Sequence, residues 1–259
     1  MDKPKRKKIR KWILLSLAAV LLVCAGFVAS SLLTVRPAIT AMSIYQEAFA
    51  DTVITEETDG AVEIVPTSDG RKAGIIFYVG AQITPDAYTP LLAKLAQAGY
   101  SCFIPKLNCN MASMEPDAAE TIISDHPEIN TWYVAGHSMG GLTASGFAAD
   151  HPDVVDGLIL IAAYTNRDLT DTTLSALSVY GDADGVLNKE LYEKRLSWYP
   201  ENFEEHIIPG ANHAQFGDYG KQPRDNDATI PAEEQQTKTA EIILDWLNRR
   251  FPEVNANEQ

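Results

Sequence analysis

The run Gly136-His137-Ser138-Met139-Gly140-Gly141 places a serine between two glycines where two unlike segments meet. Ahead of it, Trp132-Tyr133-Val134-Ala135 is aromatic and β-branched. Behind it, Leu142 to Asp150 is alanine-rich. A serine on a tight strand-to-helix turn projects its hydroxyl from the end of a sheet, where a base can reach it for nucleophilic attack on an acyl carbon. The glycines follow from sterics: the turn is strained and the helix passes close to the strand, so side chains two positions either side of Ser138 would clash. The pattern itself is short and recurs by chance, so an acid and a histidine must follow it in suitable places.

They do. After an apolar run ending at Tyr180 comes Gly181-Asp182-Ala183-Asp184-Gly185-Val186. After Phe203 to Ile208 comes Pro209-Gly210-Ala211-Asn212-His213-Ala214-Gln215-Phe216-Gly217. The order is Ser, Asp, His, each just past a predicted strand, and an acid that orients a histidine which takes the serine proton fits that order. Asp184 is favoured as the acid, because three residues past Gly181 a loop can turn back toward the histidine. Asp182 lies closer to the strand and reads as a brace for the turn. His213 is favoured as the base. His206 falls inside a strand, His126 and His151 each precede a proline at a helix end, and His137 reads as a packing residue. A tetrahedral intermediate needs donors for its oxyanion. The backbone N–H of Met139 is one. The second is expected from Val79-Gly80-Ala81-Gln82, with Ala81 preferred and Gln82 the alternative.

The elements that must position these residues are legible as alternating periods. Strands are predicted at 61–65, 74–79, 101–104, 132–135, 155–162, 174–180 and 203–208, and helices at 38–50, 87–98, 116–125, 139–150, 189–197 and 233–250. Residues 67–70 read as a turn, 51–60 as a polar acidic connection and 216–231 as a Gly/Asp/Pro-rich loop. Gly74 to Val79 is continuously apolar, as a strand buried on both faces requires. Strands alternating with helices argue for an α/β fold with a mainly parallel sheet covered on both faces, whose active site sits at the carboxyl ends of the strands.

Charge is distributed unevenly. Residues 1–11 carry seven basic side chains and one acidic, leaving 14 basic and 34 acidic in the remainder. Such a body is repelled by nucleic acid and by anionic lipid, which excludes a nucleic-acid partner. Trp12 to Val35 holds no charged residue over 24 positions. As a helix it would reach about 36 Å, more than the hydrocarbon core of a bilayer. It is too long for a cleaved signal peptide, so it reads as an uncleaved transmembrane signal anchor, with cleavage near Ala29-Ser30-Ser31 the alternative. Cys24 is preceded by Val23, too bulky for a lipoprotein site. The basic block predicts a cytoplasmic N-terminus and an extracytoplasmic body. The expected organisation is a basic segment at 1–11, the anchor at 12–35, a membrane-proximal helix and linker at 36–60, the catalytic domain at 61–251 and a polar tail at 252–259. Cys102 and Cys109 could pair outside the cell, but a core Cys102 and a free Cys109 fit better. The five histidines are scattered, so no metal site and no cofactor is implied.

From about Ala41 to Leu247 the chain resembles the small, lidless bacterial α/β-hydrolases of the dienelactone-hydrolase-like group. The resemblance rests on Gly136 to Gly141, on Tyr180-Gly181-x-x-Asp184-Gly185-Val186, on Asn212 to Gly220 and on Pro231-Ala-Glu-Glu-Gln-Gln236. It implies an α/β-hydrolase fold with Ser138, Asp184 and His213 as the triad. The chain departs from the group at Val79-Gly80-Ala81, where a Pro-Gly-Gly type of turn is usual. The expected activity is hydrolysis of a carboxylic ester or related acyl bond of a small-molecule substrate through an acyl-enzyme. The alternatives are acyl transfer on the same fold and a non-catalytic binding protein. Residues 163–173 are too few for a substantial lid, which predicts small or accessible acyl groups.

Overall fold

The computed structural model describes residues 3–33, 35–68 and 73–250, with side chains of the first helix described at 10 and 12–26. Part of the expected turn at 67–70, Phe251, the tail at 252–259 and the side chains of the alternative cleavage site lie outside the described residues. The chain divides into two units, residues 1–35 and residues 36 onward. The first is one helix, α1 (Lys3–Leu33), every described side chain of which is exposed. Among the described residues, no helix is long and apolar enough to cross a membrane.

The second unit is built on eight strands: β1 (Val53–Glu57), β2 (Ala61–Pro66), β3 (Gly74–Tyr78), β4 (Ser101–Pro105), β5 (Trp132–His137), β6 (Gly157–Ile161), β7 (Ser175–Gly181) and β8 (Asn202–Ile208). Their order across the sheet is β1-β2-β4-β3-β5-β6-β7-β8. β2 runs antiparallel to both neighbours and every pairing from β4 to β8 is parallel. β3, β4, β5 and β6 are buried along their whole length, which is why they read as unbroken apolar runs.

Among the described residues, six further α-helices belong to this unit: α2 (Met42–Phe49), α3 (Thr89–Gln97), α4 (Ala118–Asp125), α5 (Met139–Asp150), α6 (Lys189–Lys194) and α7 (Ala232–Asn248). Two adjacent residues of β5 show how they cover the sheet. Tyr133 meets Trp246 of α7 edge-on at 5.5 Å. Trp132 lies against Phe103 at 5.5 Å, and Phe103 against His126, at the end of α4, at 4.5 Å. Successive strand side chains point to opposite faces, so α7 and α4 cover opposite sides. α3 packs beside α7, and α5 lies on β5 and β6.

The structure departs from the sequence expectations in three places. Residues 53–57, expected as a connection, form the edge strand β1; Ile54 and the two glutamates are exposed, so the segment shows no apolar period. The helix expected over 38–50 begins only at Met42, because Arg36 bridges Ile83, residues 39 and 40 bend and Ala41 is extended. The helix expected over 189–197 ends at Lys194 and continues as a tight 3-10 turn, Leu196–Trp198.

Candidate active site

β5 delivers Ser138 on a turn with φ 54° and ψ −119°. That left-handed region is unfavourable for a residue with a Cβ, and a conformation of this kind costs about 1–3 kcal/mol. The turn is held from both sides. Ser138 N–H donates to Ile161 O at 2.9 Å, and Gly141 N–H donates to Ser138 O at 3.0 Å. α5 then leaves so close to β3 that a Cβ on Gly140 would overlap Tyr78 O, and one on Gly136 would overlap the Gly140 backbone. Both glycines are thus fixed by contact, as the sequence pattern suggested.

Asp184 and His213 come together in the interior. His213 Nδ1 and Asp184 Oδ2 are 2.8 Å apart, with both side chains almost wholly buried. Asp184 Oδ1 accepts the N–H groups of Val186 and Leu187, each at 2.8 Å. The carboxylate therefore has only one productive direction left, toward the imidazole. His213 Nε2 is buried and has no hydrogen-bond partner among the described residues. Because a carboxylate only accepts, Nδ1 carries a proton toward Asp184, and Nε2 is the ring nitrogen left without a partner.

The other candidates separate clearly. Asp182 accepts Gly210 N–H at 2.7 Å and so ties the β7 turn to the one after β8. His206 sits on the outer strand β8, His126 pairs with Glu128, and His151 stacks on Phe147. None of these is bonded to the Asp184–His213 pair among the described residues. At the loop after β3, Gln82 N–H is spent on Asn110 O at 2.8 Å. Ala81 N–H has no acceptor among the described residues, and Met139 opens α5, where the first amides have no intrahelical partner. Those two amides remain available to an anion. Cys102 is buried and Cys109 exposed, and both thiols are free.

His137 does more than pack. Tyr88 Oη lies 2.8 Å from His137 Nδ1 and itself accepts Gly80 N–H at 3.0 Å. His137 Nε2 lies 3.2 Å from His213 O. The carbonyl can only accept, so Nε2 bears the hydrogen and Nδ1 takes the tyrosine proton. One continuous chain of hydrogen bonds thus joins the loop after β3 to the loop bearing His213. Its sequence signal is nil, because a buried histidine beside a serine looks the same whether it packs or bridges.

Three more groups escaped the sequence reading. Gln235, at the start of α7, donates to Asn212 O at 2.7 Å and accepts Asn212 N–H at 3.1 Å, holding the residue before His213 on both its backbone groups. Asp218 Oδ2 accepts Thr40 N–H and the Tyr45 hydroxyl, each at 3.0 Å. Arg36 N–H donates to Gln82 O at 2.7 Å, and its guanidinium to Gln222 Oε1 at 2.7 Å. Residues 36–45 are therefore stitched across both site loops.

The profile described as the alpha/beta hydrolase family matches residues 74–237. The chain belongs to that family. The likeness extends to solved structures. A predicted CIB-like hydrolase of Thermoplasma acidophilum is 17% identical with a TM-score of 0.58, over 76% of this chain and 98% of that one. Est1E of Butyrivibrio proteoclasticus is 15% identical with a TM-score of 0.54, over 76% and 99%. The carboxylesterase CesB (YbfK) of Bacillus subtilis is 12% identical with a TM-score of 0.52, over 80% and 98%. At such identities the likeness is one of fold. No curated protein sequence matches this hydrolase.

Burial, and then the nearby His213, hold the His137 pKa well below the usual histidine value. The folded hydrolase therefore binds fewer protons at this group than the unfolded chain does below about pH 6.5. The stability tied to neutral His137 is present above that pH and is lost as pH falls toward the folded pKa. Thermal melts from pH 7 to pH 5 should show the midpoint falling, with a slope from this group of up to about 1.4 kcal/mol per pH unit. In His137→Gln the slope should flatten; an unchanged slope would remove His137 as its source.

Proposed function

We propose that this protein is a serine hydrolase of carboxylic esters or related acyl bonds. The observation that carries the reading is the buried Asp184–His213 pair, which leaves Nε2 without a partner among the described residues, on the loop that follows β8. In the proposed mechanism, Ser138 Oγ attacks the acyl carbon as His213 Nε2 takes its proton. The carbonyl oxygen becomes an oxyanion, held by the amides of Met139 and Ala81. Asp184 fixes the imidazole tautomer and stabilises the imidazolium that forms. Nε2–H then protonates the leaving group, which departs and leaves an acyl-enzyme. Water, deprotonated by the same nitrogen, attacks that ester and restores Ser138.

A small or accessible acyl group is the proposed substrate class. Residues 163–173 contain no helix, and they are pinned: Arg195 donates to Thr165 O at 2.7 Å, and Asn166 N–H donates to Ser145 Oγ at 3.1 Å. No lid of any size is built from them. On a panel of esters, short chains should be turned over faster than long ones. Ser138→Ala should abolish turnover, and Asp184→Asn should lower kcat by about 10³–10⁴-fold, as loss of the tautomer-setting acid does in serine enzymes. A clear preference for long-chain lipids, or full activity in Ser138→Ala, would contradict the reading.

The proposed location is the outer face of a cell membrane, with a cytoplasmic N-terminus. Supporting it are the 24 uncharged residues from Trp12 to Val35 and the basic block before them. Protease added to intact cells should digest the hydrolase body; digestion only after lysis would overturn this orientation.

A further inference from the structure

The loop between β8 and α7 carries a carboxylate whose position has no counterpart in the sequence pattern. Asp225 Oδ1 accepts the backbone N–H of Gly185 at 3.0 Å, of His213 at 3.2 Å and of its neighbour Asn226 at 3.0 Å. Its Oδ2 accepts Ala214 N–H at 2.8 Å. Gly185 follows the acid Asp184, and the amides of His213 and Ala214 lie on either side of the His213 Cα. One side chain thus grips the peptides beside both members of the pair, on loops that leave the sheet from different strands.

The fit around this side chain is close. A Cβ on Gly185 would lie 2.6 Å from Arg224 O and 2.9 Å from Asn226 N, the residues flanking Asp225. Only a glycine lets the acid loop come near enough to donate. Arg224 takes φ 73°, an unfavourable value for a residue with a Cβ, immediately before the carboxylate. Asn226 O accepts Asn212 Nδ2 at 2.8 Å, so the same segment also holds the residue before His213. An ionised carboxylate that accepts several N–H groups makes charge-assisted bonds, stronger and more directional than neutral ones. No salt bridge to Asp225 is formed among the described residues, which leaves its charge to these amides.

We propose that Asp225 is a positioning residue for the catalytic pair: by holding amides of both loops it sets the distance and register at which His213 Nδ1 meets Asp184 Oδ2. This rests on the triad reading above. Asp225 touches no reacting atom; it acts through the peptides of Gly185, His213 and Ala214. Its side chain is therefore expected to govern the rate of the chemical step more than substrate binding.

The test uses the full chain with Asp225→Asn and Asp225→Ala, and with Gly185→Ala, which pushes the acid loop away from the other side. Five quantities are read: kcat and KM on a short ester, the rate of labelling by a fluorophosphonate, the thermal midpoint, and the low-field proton resonance of the imidazole Nδ1–H. All three variants should lower kcat and the labelling rate 10-fold or more with KM within about twofold, and should shift or broaden the low-field resonance. Formate should restore part of the activity of Asp225→Ala and none of that of Gly185→Ala. Wild-type kcat and an unmoved resonance in Asp225→Asn would overturn the proposal, as would a rate loss that merely tracks a lowered thermal midpoint with no change in the resonance. Ser138→Ala is run alongside: undiminished labelling there would sink the triad reading itself, whereas its loss together with unaffected Asp225 variants would sink only the positioning role.

Discussion

The turn at Ser138 is the constraint on which the rest of this hydrolase depends. A non-glycine residue at φ 54° persists only where its surroundings over-determine it. Here they do: β6 accepts the Ser138 amide, the first turn of α5 closes on its carbonyl, and Gly140 lets the helix press against the end of β3. The same contact that permits the strain also sets the start of α5 against the carbonyls of Tyr78 and Val79, where the loop carrying Ala81 begins. The proposed nucleophile and the proposed anion-binding amides would thus both depend on one close packing of helix on strand.

The opposite side of the site is built on a different principle. The loop after β8 plants Phe216 and Tyr219 in the core, yet the segment from 209 to 231 contains almost no regular structure. Besides those anchors, side chains that bond to backbone order it. Asp184 holds Val186 and Leu187, Asp182 holds Gly210, Gln235 holds both backbone groups of Asn212, and Gln236 reaches Gln215 O at 3.2 Å. Buried polar groups of this kind are costly to leave unpaired and directional when paired, so a satisfied network specifies one arrangement. The glutamine pair opening α7 thus grips the backbone on both sides of His213.

The central strands and the three chemically suggestive residues were legible from residue types, because strands buried on both faces appear as apolar runs and catalytic loops follow their carboxyl ends. β1 was not legible: at a sheet edge only Val53 is buried, and glutamates occupy the positions where a period would show. Asp225 and Asp218 sit in a stretch whose composition says only that it is a loop. Their meaning comes from amides 11 to 40 residues away for Asp225, and from a backbone amide and a hydroxyl 178 and 173 residues away for Asp218. His137 was seen as filler, since nothing in the order of residues reveals that Tyr88 and His213 O meet its two nitrogens. The preference for Ala81 over Gln82 was made on the sequence, but its physical reason is visible only in the fold, where Asn110 O takes the Gln82 amide.

The most direct measurement is peptide mapping by mass spectrometry after treatment with a fluorophosphonate. The account predicts one adduct per chain, located on the peptide containing Ser138, with His213→Ala nearly free of label. Absence of an adduct on the folded protein, or an adduct on a different residue, would contradict the claim that Ser138 is the nucleophile.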